Sequence, residues 1–316
     1  MNTASSLRRV GILTGMTASG KTSVALDWAR KHGDIEIINA DSIQVYREFN
    51  VGSAKPLKEE RAEIPHHLID IRNPDEPFNA GDFIRAVRES IEAIHARGHR
   101  ALIVGGTGFY LKALLYGMWD APPLDPEKRE ALRQELETLE EEALWRRLAS
   151  KDPKAAEKIH KNDRYRLVRA LEVIEISGQK ISQLELPETK TADPQFALWV
   201  LDRPKDELEA RIRKRAEQMI EQGLIDETKA LLERWPDARP LESVGYAQVV
   251  QYLKGQKPAG RNTKLDTAGL MDEITLATRQ LCKRQRTWFN SELASQFFML
   301  ESENNKLQQS LSETYK

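Results

Sequence analysis

The chain has 316 residues, enough for about two domains. Its 48 Lys+Arg nearly balance its 49 Asp+Glu; the net charge of −1 excludes a uniformly basic nucleic-acid coat and an acidic disordered tail protein, but not a local basic patch. One cysteine excludes an internal disulfide framework and a cysteine-based zinc module. No run of about 20 apolar residues could span a bilayer, and the polar start Met1 to Arg9 lacks a signal-peptide core, so a cytoplasmic enzyme is expected.

Val10 to Thr14 reads as a strand, followed by a helix from Lys21 to about Lys31. Ile35 to Asn39 is a second strand and His67 to Ile71 a weaker third. A helix from about Ala80 to Arg97 carries Phe83, Ile84, Val87, Ile91 and Ile94 at helical spacing. Ala101 to Val104 is a fourth strand. Strands alternating with helices imply a parallel sheet covered on both faces.

Ala121-Pro-Pro-Leu-Asp-Pro126 marks a boundary. One long helix is expected over 127–150, with Leu132, Leu136, Leu139, Ala143 and Leu148 on one side. A second runs from about Asp163 to Ser177 and stops at Gly178. A loop from Pro187 to Pro194 leads to strand character again at Phe196 to Leu201. The domain reading is a core of 1–119 plus 195–300, a helical insertion of 120–194, and a flexible polar tail of 301–316. Helices over 205–222 and 268–289 make the C-terminal region helical.

The run Gly15-Met16-Thr17-Ala18-Ser19-Gly20-Lys21-Thr22 fits the phosphate-loop pattern between a strand and a helix. Its glycines let N–H groups turn inward, Lys21 supplies charge, and the Thr22 hydroxyl suits Mg²⁺. The fold class is therefore α/β, a P-loop NTPase-like parallel sheet core. The loop alone serves a kinase, an NTPase or any enzyme that holds a pyrophosphate, so the neighbouring loops decide. Asn39-Ala-Asp41-Ser42-Ile43-Gln44 follows the second strand. Asp41 there suits metal binding, general-base work or a helix N-cap. Thr107, after Gly105-Gly106, offers a donor and an acceptor.

Leu208, Ile212 and Met219 define an apolar stripe that contains Arg215, so its guanidinium needs an anion, either an internal carboxylate or a phosphate. Leu167, Leu171 and Ile174 face one way and Tyr165, Arg166 and Arg169 the other, an aromatic–arginine set that suits RNA, although the pattern alone favours a solvated face. Ile274, Leu281, Gln285 and Trp288 read as a packed face, with Arg279, Lys283 and Arg286 opposite it. No acid occurs from Thr275 to Asn290, which makes this the clearest basic patch. Adjacent His66 and His67 point to opposite faces of a strand, which disfavours a shared metal.

Taken with Ala-Asp-Ser-Ile-Gln-Val-Tyr (40–46), Val-Gly-Ser-Ala-Lys-Pro (51–56), Ile-Pro-His-His-Leu-Ile-Asp (64–70), Val-Gly-Gly-Thr-Gly-Phe-Tyr (104–110), Asn-Asp-Arg-Tyr-Arg-Leu-Val-Arg-Ala-Leu-Glu (162–172), Ser-Val-Gly-Tyr (243–246) and the run 277–289, the chain resembles the bacterial-type tRNA dimethylallyltransferases. Met16 stands where Pro is commoner, and Glu242 precedes Ser-Val-Gly-Tyr where many relatives have smaller or basic residues. The resemblance implies transfer of a dimethylallyl group from dimethylallyl diphosphate to N6 of adenine 37 in tRNA. The phosphate loop would then hold the donor's pyrophosphate with Mg²⁺ at Thr22. Lys21, Thr22 and Arg215 would serve the leaving group and Asp41 the base. It further implies tRNA contacts at Asp41, Ser42, Ile43, Gln44, Thr107, Arg129, Tyr165, Arg166, Leu167, Val168, Arg169, Gly245, Tyr246, Arg279, Lys283, Arg284 and Arg286. The implied partners are the anticodon stem-loop of tRNA and the diphosphate, acting on a monomer without a membrane. A small-molecule kinase using ATP and a non-catalytic RNA-binding protein are the rivals.

Overall fold

The computed structural model describes residues 9–118, 125–184, 191–257, 264–293 and 296–315. They separate into two compact units, one of residues 1–115 with 192–316 and one of residues 116–191. The expected insertion of 120–194 differs from the second unit by a few residues at each end. The stretch Ala121–Pro126 and the loop Pro187–Pro194 lie in large part outside the described residues.

The first unit is built on six strands: β1 (Val10–Gly15), β2 (Ile35–Asn39), β3 (His66–His67), β4 (Arg100–Val104), β5 (Phe196–Asp202) and β6 (Gln296–Met299). All neighbours are parallel, in the order β3-β2-β4-β1-β5-β6. Every residue of β1 and β2 is buried, as strands covered on both faces require. The core helices are α1 (Lys21–His32), α2 (Lys58–Glu63), α3 (Ala80–Ala96) and α4 (Gly108–Tyr116), which precede the second unit. The second unit is helical: α5 (Pro126–Glu137), α6 (Glu141–Lys151), α7 (Pro153–Lys158) and α8 (Arg164–Ser177). The first unit then continues with α9 (Lys205–Glu221), α10 (Leu224–Arg234), α11 (Tyr246–Leu253), α12 (Thr267–Glu292) and α13 (Leu300–Thr314). Because all strands run the same way, the loops after β1, β2, β4 and β5 gather at one edge of the sheet, where open α/β sheets bind ligands.

Three expectations change. The weak third strand covers only His66 and His67, because Leu68 (φ 60) and Asp70 (φ 57) adopt the left-handed region and end extended pairing. His67 Nε2 hydrogen-bonds Glu36 at 2.6 Å, while His66 Nδ1 meets the Ile64 carbonyl. Burial would raise the Glu36 carboxyl, yet hydrogen bonds from Arg97, His67 and His99 outweigh it and bring the pKa down to about 2.

The long helix expected over 127–150 is two helices. Arg164 donates to the carbonyls of Leu136, Glu137 and Leu139, satisfying the C-terminal groups of α5 where it stops. The break resets the register, so Leu144 rather than Ala143 is buried with Leu136 and Leu148 against Leu167 and Leu171.

The tail read as flexible is α13, and it belongs to the core. Leu307 and Leu311, four residues apart, are fully buried against Trp28 and Trp199 of the main hydrophobic cluster. The Tyr315 hydroxyl donates to the Ala101 carbonyl at 2.6 Å and accepts from the Gly11 N–H at 3.1 Å, a clasp between β4 and β1. Tyr315→Phe leaves both backbone groups unpaired in a dry site. It should lower unfolding stability by roughly 1–3 kcal/mol, read as a lower urea midpoint with unchanged slope; an unchanged midpoint would mean the clasp carries no stability.

Candidate active site

The phosphate loop is shaped from both sides. Ala18 (φ 66) and Gly20 (φ 97) are left-handed, which turns successive N–H groups toward one face and carbonyls toward the other. The outward carbonyls are held: Arg211 Nε donates to Ala18 O at 2.8 Å and Arg203 Nε to Ser19 O at 2.6 Å. On the inner side, Gln285 Oε1 accepts from the Thr17 N–H at 2.9 Å, and Cys282 Sγ donates to Thr17 O. Lys21 Nζ rests on Met16 O at 3.4 Å, a weak contact for an ammonium. Burial pushes the Lys21 pKa down to about 8, with Asp41 opposing the fall and Arg215 adding to it.

Asp41 is tied down by one oxygen only, and it caps a turn rather than the helix considered from sequence. Its Oδ1 accepts from the N–H groups of Ile43 (2.8 Å) and Gln44 (3.3 Å), tying the turn after β2. Its Oδ2 makes no hydrogen bond to the described residues and is available for chemistry. Asn39 fixes the base of this loop by accepting from the Asp41 N–H and donating to the carbonyls of Asp41 and Leu68. Thr107 Oγ1 accepts from the Ser42 N–H at 2.9 Å, so the loops after β2 and β4 act as one piece. Gly105 is required there, because any Cβ would collide with the Ala40 backbone.

Arg215 sits in the stripe of Leu208, Ile212 and Met219, all buried. It forms no hydrogen bond or ion pair with the described residues. Burial pulls its pKa down and Asp41 raises it. The internal carboxylate partner considered from sequence is therefore present only as the nearby charge of Asp41, not as a bonded pair.

Two cavities meet at this point. The larger, ≈ 510 Å³, has polar groups at Thr17, Asp41, Ser42 and Thr107 and an apolar wall of Met219, Ile274, Leu281 and Trp288. The smaller, ≈ 60 Å³, is lined by Lys21, Thr22, Asn39, Asp41 and Gln44. Thr17, Ser53, Asp41 and Arg215 line both. The arrangement suits an anion in the small chamber, an apolar or planar group in the large one, and a free carboxylate oxygen at the junction. Among the described residues no group of three His, Cys, Asp or Glu side chains could cage a metal. Thr22 and Asp41 do supply oxygen donors to the small chamber, which fits Mg²⁺ only if phosphate and water complete its shell.

The residues anticipated from sequence divide. Lys21, Thr22, Asp41, Ser42, Ile43, Gln44, Thr107, Arg215, Gly245 and Arg284 line these chambers, as does Glu242. Tyr246 does not. It is fully buried, and its hydroxyl donates to Glu227, whose carboxylate accepts from the N–H groups of Asn50, Val51 and Gly52. Arg129, Tyr165, Arg166, Leu167, Val168 and Arg169 belong to the helical unit. There Tyr165 is exposed, but Arg129 and Arg169 both hydrogen-bond Glu172, and Leu167 is a core residue with no surface to offer RNA.

The basic face of α12 is weaker than its sequence. Arg279 pairs with Glu209 of α9, and Arg286 with Asp202 of β5 at 2.6 Å. Lys283 and Arg284 stay exposed with no side-chain partner among the described residues. Sequence reasoning gave Gln285 only a place in a packed face and missed Arg203 and Arg211. Nothing local marks them, since each acts on a loop about 180 or more residues away.

A family model described as IPP transferase matches residues 44–292. The chain is 44% identical over 292 residues to tRNA dimethylallyltransferase 1 of Trichlorobacter lovleyi, across 92% of this chain and 93% of that one. It is 42% identical over 292 residues to the tRNA dimethylallyltransferase of Syntrophobacter fumaroxidans, across 92% and 83%. Among solved structures it resembles the full-length tRNA isopentenylpyrophosphate transferase of Bacillus halodurans, with TM-score 0.68, 31% identity and coverage of 98% and 97%. A eukaryotic dimethylallyltransferase acting on tRNA shares the fold at TM-score 0.75 and 24% identity, over 96% of this chain and 77% of that one.

Proposed function

The chain belongs to the IPP transferase family, and from that premise we propose that it transfers a dimethylallyl group from dimethylallyl diphosphate to N6 of adenine 37 in tRNAs reading codons that begin with U. The observation that carries this reading is the junction of the two chambers, where Asp41 and Arg215 line both. A diphosphate in the small chamber meets Lys21, Thr22 and the loop N–H groups, and its prenyl group lies toward the apolar wall.

N6 attacks C1 as the C1–O bond breaks, pyrophosphate leaves with the bonding pair, and the N6 proton passes to Asp41 Oδ2. An exocyclic adenine amine is a weak nucleophile, so proton removal as the bond forms raises its reactivity. Lys21, Arg215 and the loop N–H groups stabilise charge on the leaving oxygen. Mg²⁺, held at Thr22, would add charge neutralisation to the diphosphate when bound. The base must leave its stack to enter the large chamber. Lys283 and Arg284 on the core, and Tyr165 and Arg166 on the helical unit, are the groups offered to the anticodon stem-loop. No described helix is long and apolar enough to cross a membrane, and the reading is of a monomer working in the cytoplasm.

The test is incubation of the chain with labelled dimethylallyl diphosphate, Mg²⁺ and unmodified tRNA. Label should appear on the RNA with release of pyrophosphate. ATP hydrolysis with no label on RNA would instead favour the kinase alternative, and RNA binding without turnover the non-catalytic one.

A further inference from the structure

The loop that holds the leaving group follows β1, and the loops that hold the acceptor follow β2 and β4. At the strand ends they are joined by Thr14 Oγ1, which donates to the Gly105 carbonyl at 2.7 Å. Beyond the strand ends they diverge around the cavities, and there one side chain spans the gap. Gln285 Oε1 accepts from the Thr17 N–H at 2.9 Å, and its Nε2 donates to the Gly106 carbonyl at 3.1 Å. Among the described residues no other side chain hydrogen-bonds both loops.

The bridge continues into the acceptor side. Gly106 precedes Thr107, which holds the Ser42 N–H, and Ser42 follows Asp41. A Cβ built on Gly106 would lie 3.1 Å from Gln285 Nε2 and 3.5 Å from Lys21 Nζ, so amide and ammonium converge on one spot. Cys282, one turn earlier on α12, holds Thr17 O, so the helix grips the phosphate loop at two points. The amide is neutral, and an amide bonded to both loops fixes a distance without altering the charge of the site.

We propose that Gln285 is a positioning residue that sets the spacing between the leaving-group loop and the Asp41–Thr107 loops, and so between C1 of the donor and N6 of the acceptor. The inference rests on the transferase reading given above. An in-line displacement is sensitive to that spacing, and a misplacement of about 1 Å costs on the order of 100-fold in rate.

The experiment compares wild type with Gln285→Met, which keeps length and neutrality and removes the bonds to both loops, and with Gln285→Glu. As a carboxylate, the latter still accepts from Thr17 but cannot donate to Gly106; once protonated it can do both. Single-turnover transfer to unmodified tRNA, inhibition by inorganic pyrophosphate, tRNA binding and thermal unfolding are measured for each. Gln285→Met should lose roughly 30- to 100-fold in single-turnover rate, with pyrophosphate inhibition and tRNA affinity within about threefold of wild type. Gln285→Glu should recover relative to wild type as the pH is lowered. This second variant keeps the question open to test if the methionine protein fails to fold.

A rate within about threefold of wild type in both variants would overturn the inference, as would a rate loss matched by an equal loss of pyrophosphate affinity. A fall in unfolding temperature together with both affinities would make Gln285 a packing residue instead. If wild type itself transfers no label, the transferase reading fails first.

Discussion

Asp41→Asn should lower the single-turnover rate of transfer by about 10²- to 10⁴-fold while leaving tRNA and pyrophosphate binding near wild type. The asparagine carbonyl can still accept from the Ile43 and Gln44 N–H groups, as Asp41 Oδ1 does now. The turn is therefore preserved, and only the proton acceptor is removed. Asp41→Ala is a blunter change, because it also frees those two N–H groups and should cost roughly 1–3 kcal/mol of stability besides. The pair separates the two functions of one carboxylate. Equal rates in Asp41→Asn and wild type would remove Asp41 from the base role and leave it as a turn residue. Loss of tRNA binding in Asp41→Asn would make it a recognition group rather than a base.

Asp41 and Gln285 differ in how far their roles are written into the local sequence. The phosphate loop was legible because its chemistry is local: glycines, a lysine and a threonine at fixed spacing between a strand and a helix. Arg215 was legible from a contradiction, a guanidinium in an apolar stripe, and the same contradiction persists in the fold. It has no bonded partner among the described residues and faces a chamber. Gln285, an amide read as part of the packed face of its helix, named no partner, and its meaning appears only when the Thr17 and Gly106 loops are brought to it by the sheet.

The misreadings have the same origin. The run 275–290 contains no acid, yet Glu209 and Asp202 arrive from α9 and β5 to neutralise Arg279 and Arg286. The tail looked polar because thirteen of its sixteen residues are, but the two leucines four apart and a tyrosine were enough to seal one side of the sheet. Charge and hydrophobicity along the chain describe a residue's own nature. Partners drawn from distant elements decide what it does.

Lys21 and Arg215 share the small chamber with Asp41, and the burial of Lys21 makes donor binding depend on pH. Burial lowers Lys21 to about 8, the presence of Asp41 limits that fall, and Arg215 deepens it. Below that pH the ammonium is present and can meet the diphosphate; above it the free enzyme holds a neutral amine. The second-order rate constant for dimethylallyl diphosphate, kcat/KM, should therefore decline as pH rises through about 8. The rate at saturating donor should hold to higher pH, because a bound diphosphate stabilises the ammonium and shifts its titration upward. Binding above pH 8 should take up a proton, visible as a dependence of binding heat on the buffer's ionisation enthalpy. Lys21→Met should lose about 10²- to 10³-fold in transfer, the scale of removing one preorganised group from a developing charge. Lys21→Arg tests the assignment differently, since a guanidinium does not titrate in this range. Its residual activity should show no decline near pH 8. A wild-type kcat/KM that stays flat through pH 9, or a decline that survives in Lys21→Arg, would move the titrating group elsewhere. On the proposed reading Arg215, a guanidinium, should supply the part of donor affinity that remains when Lys21 is neutral.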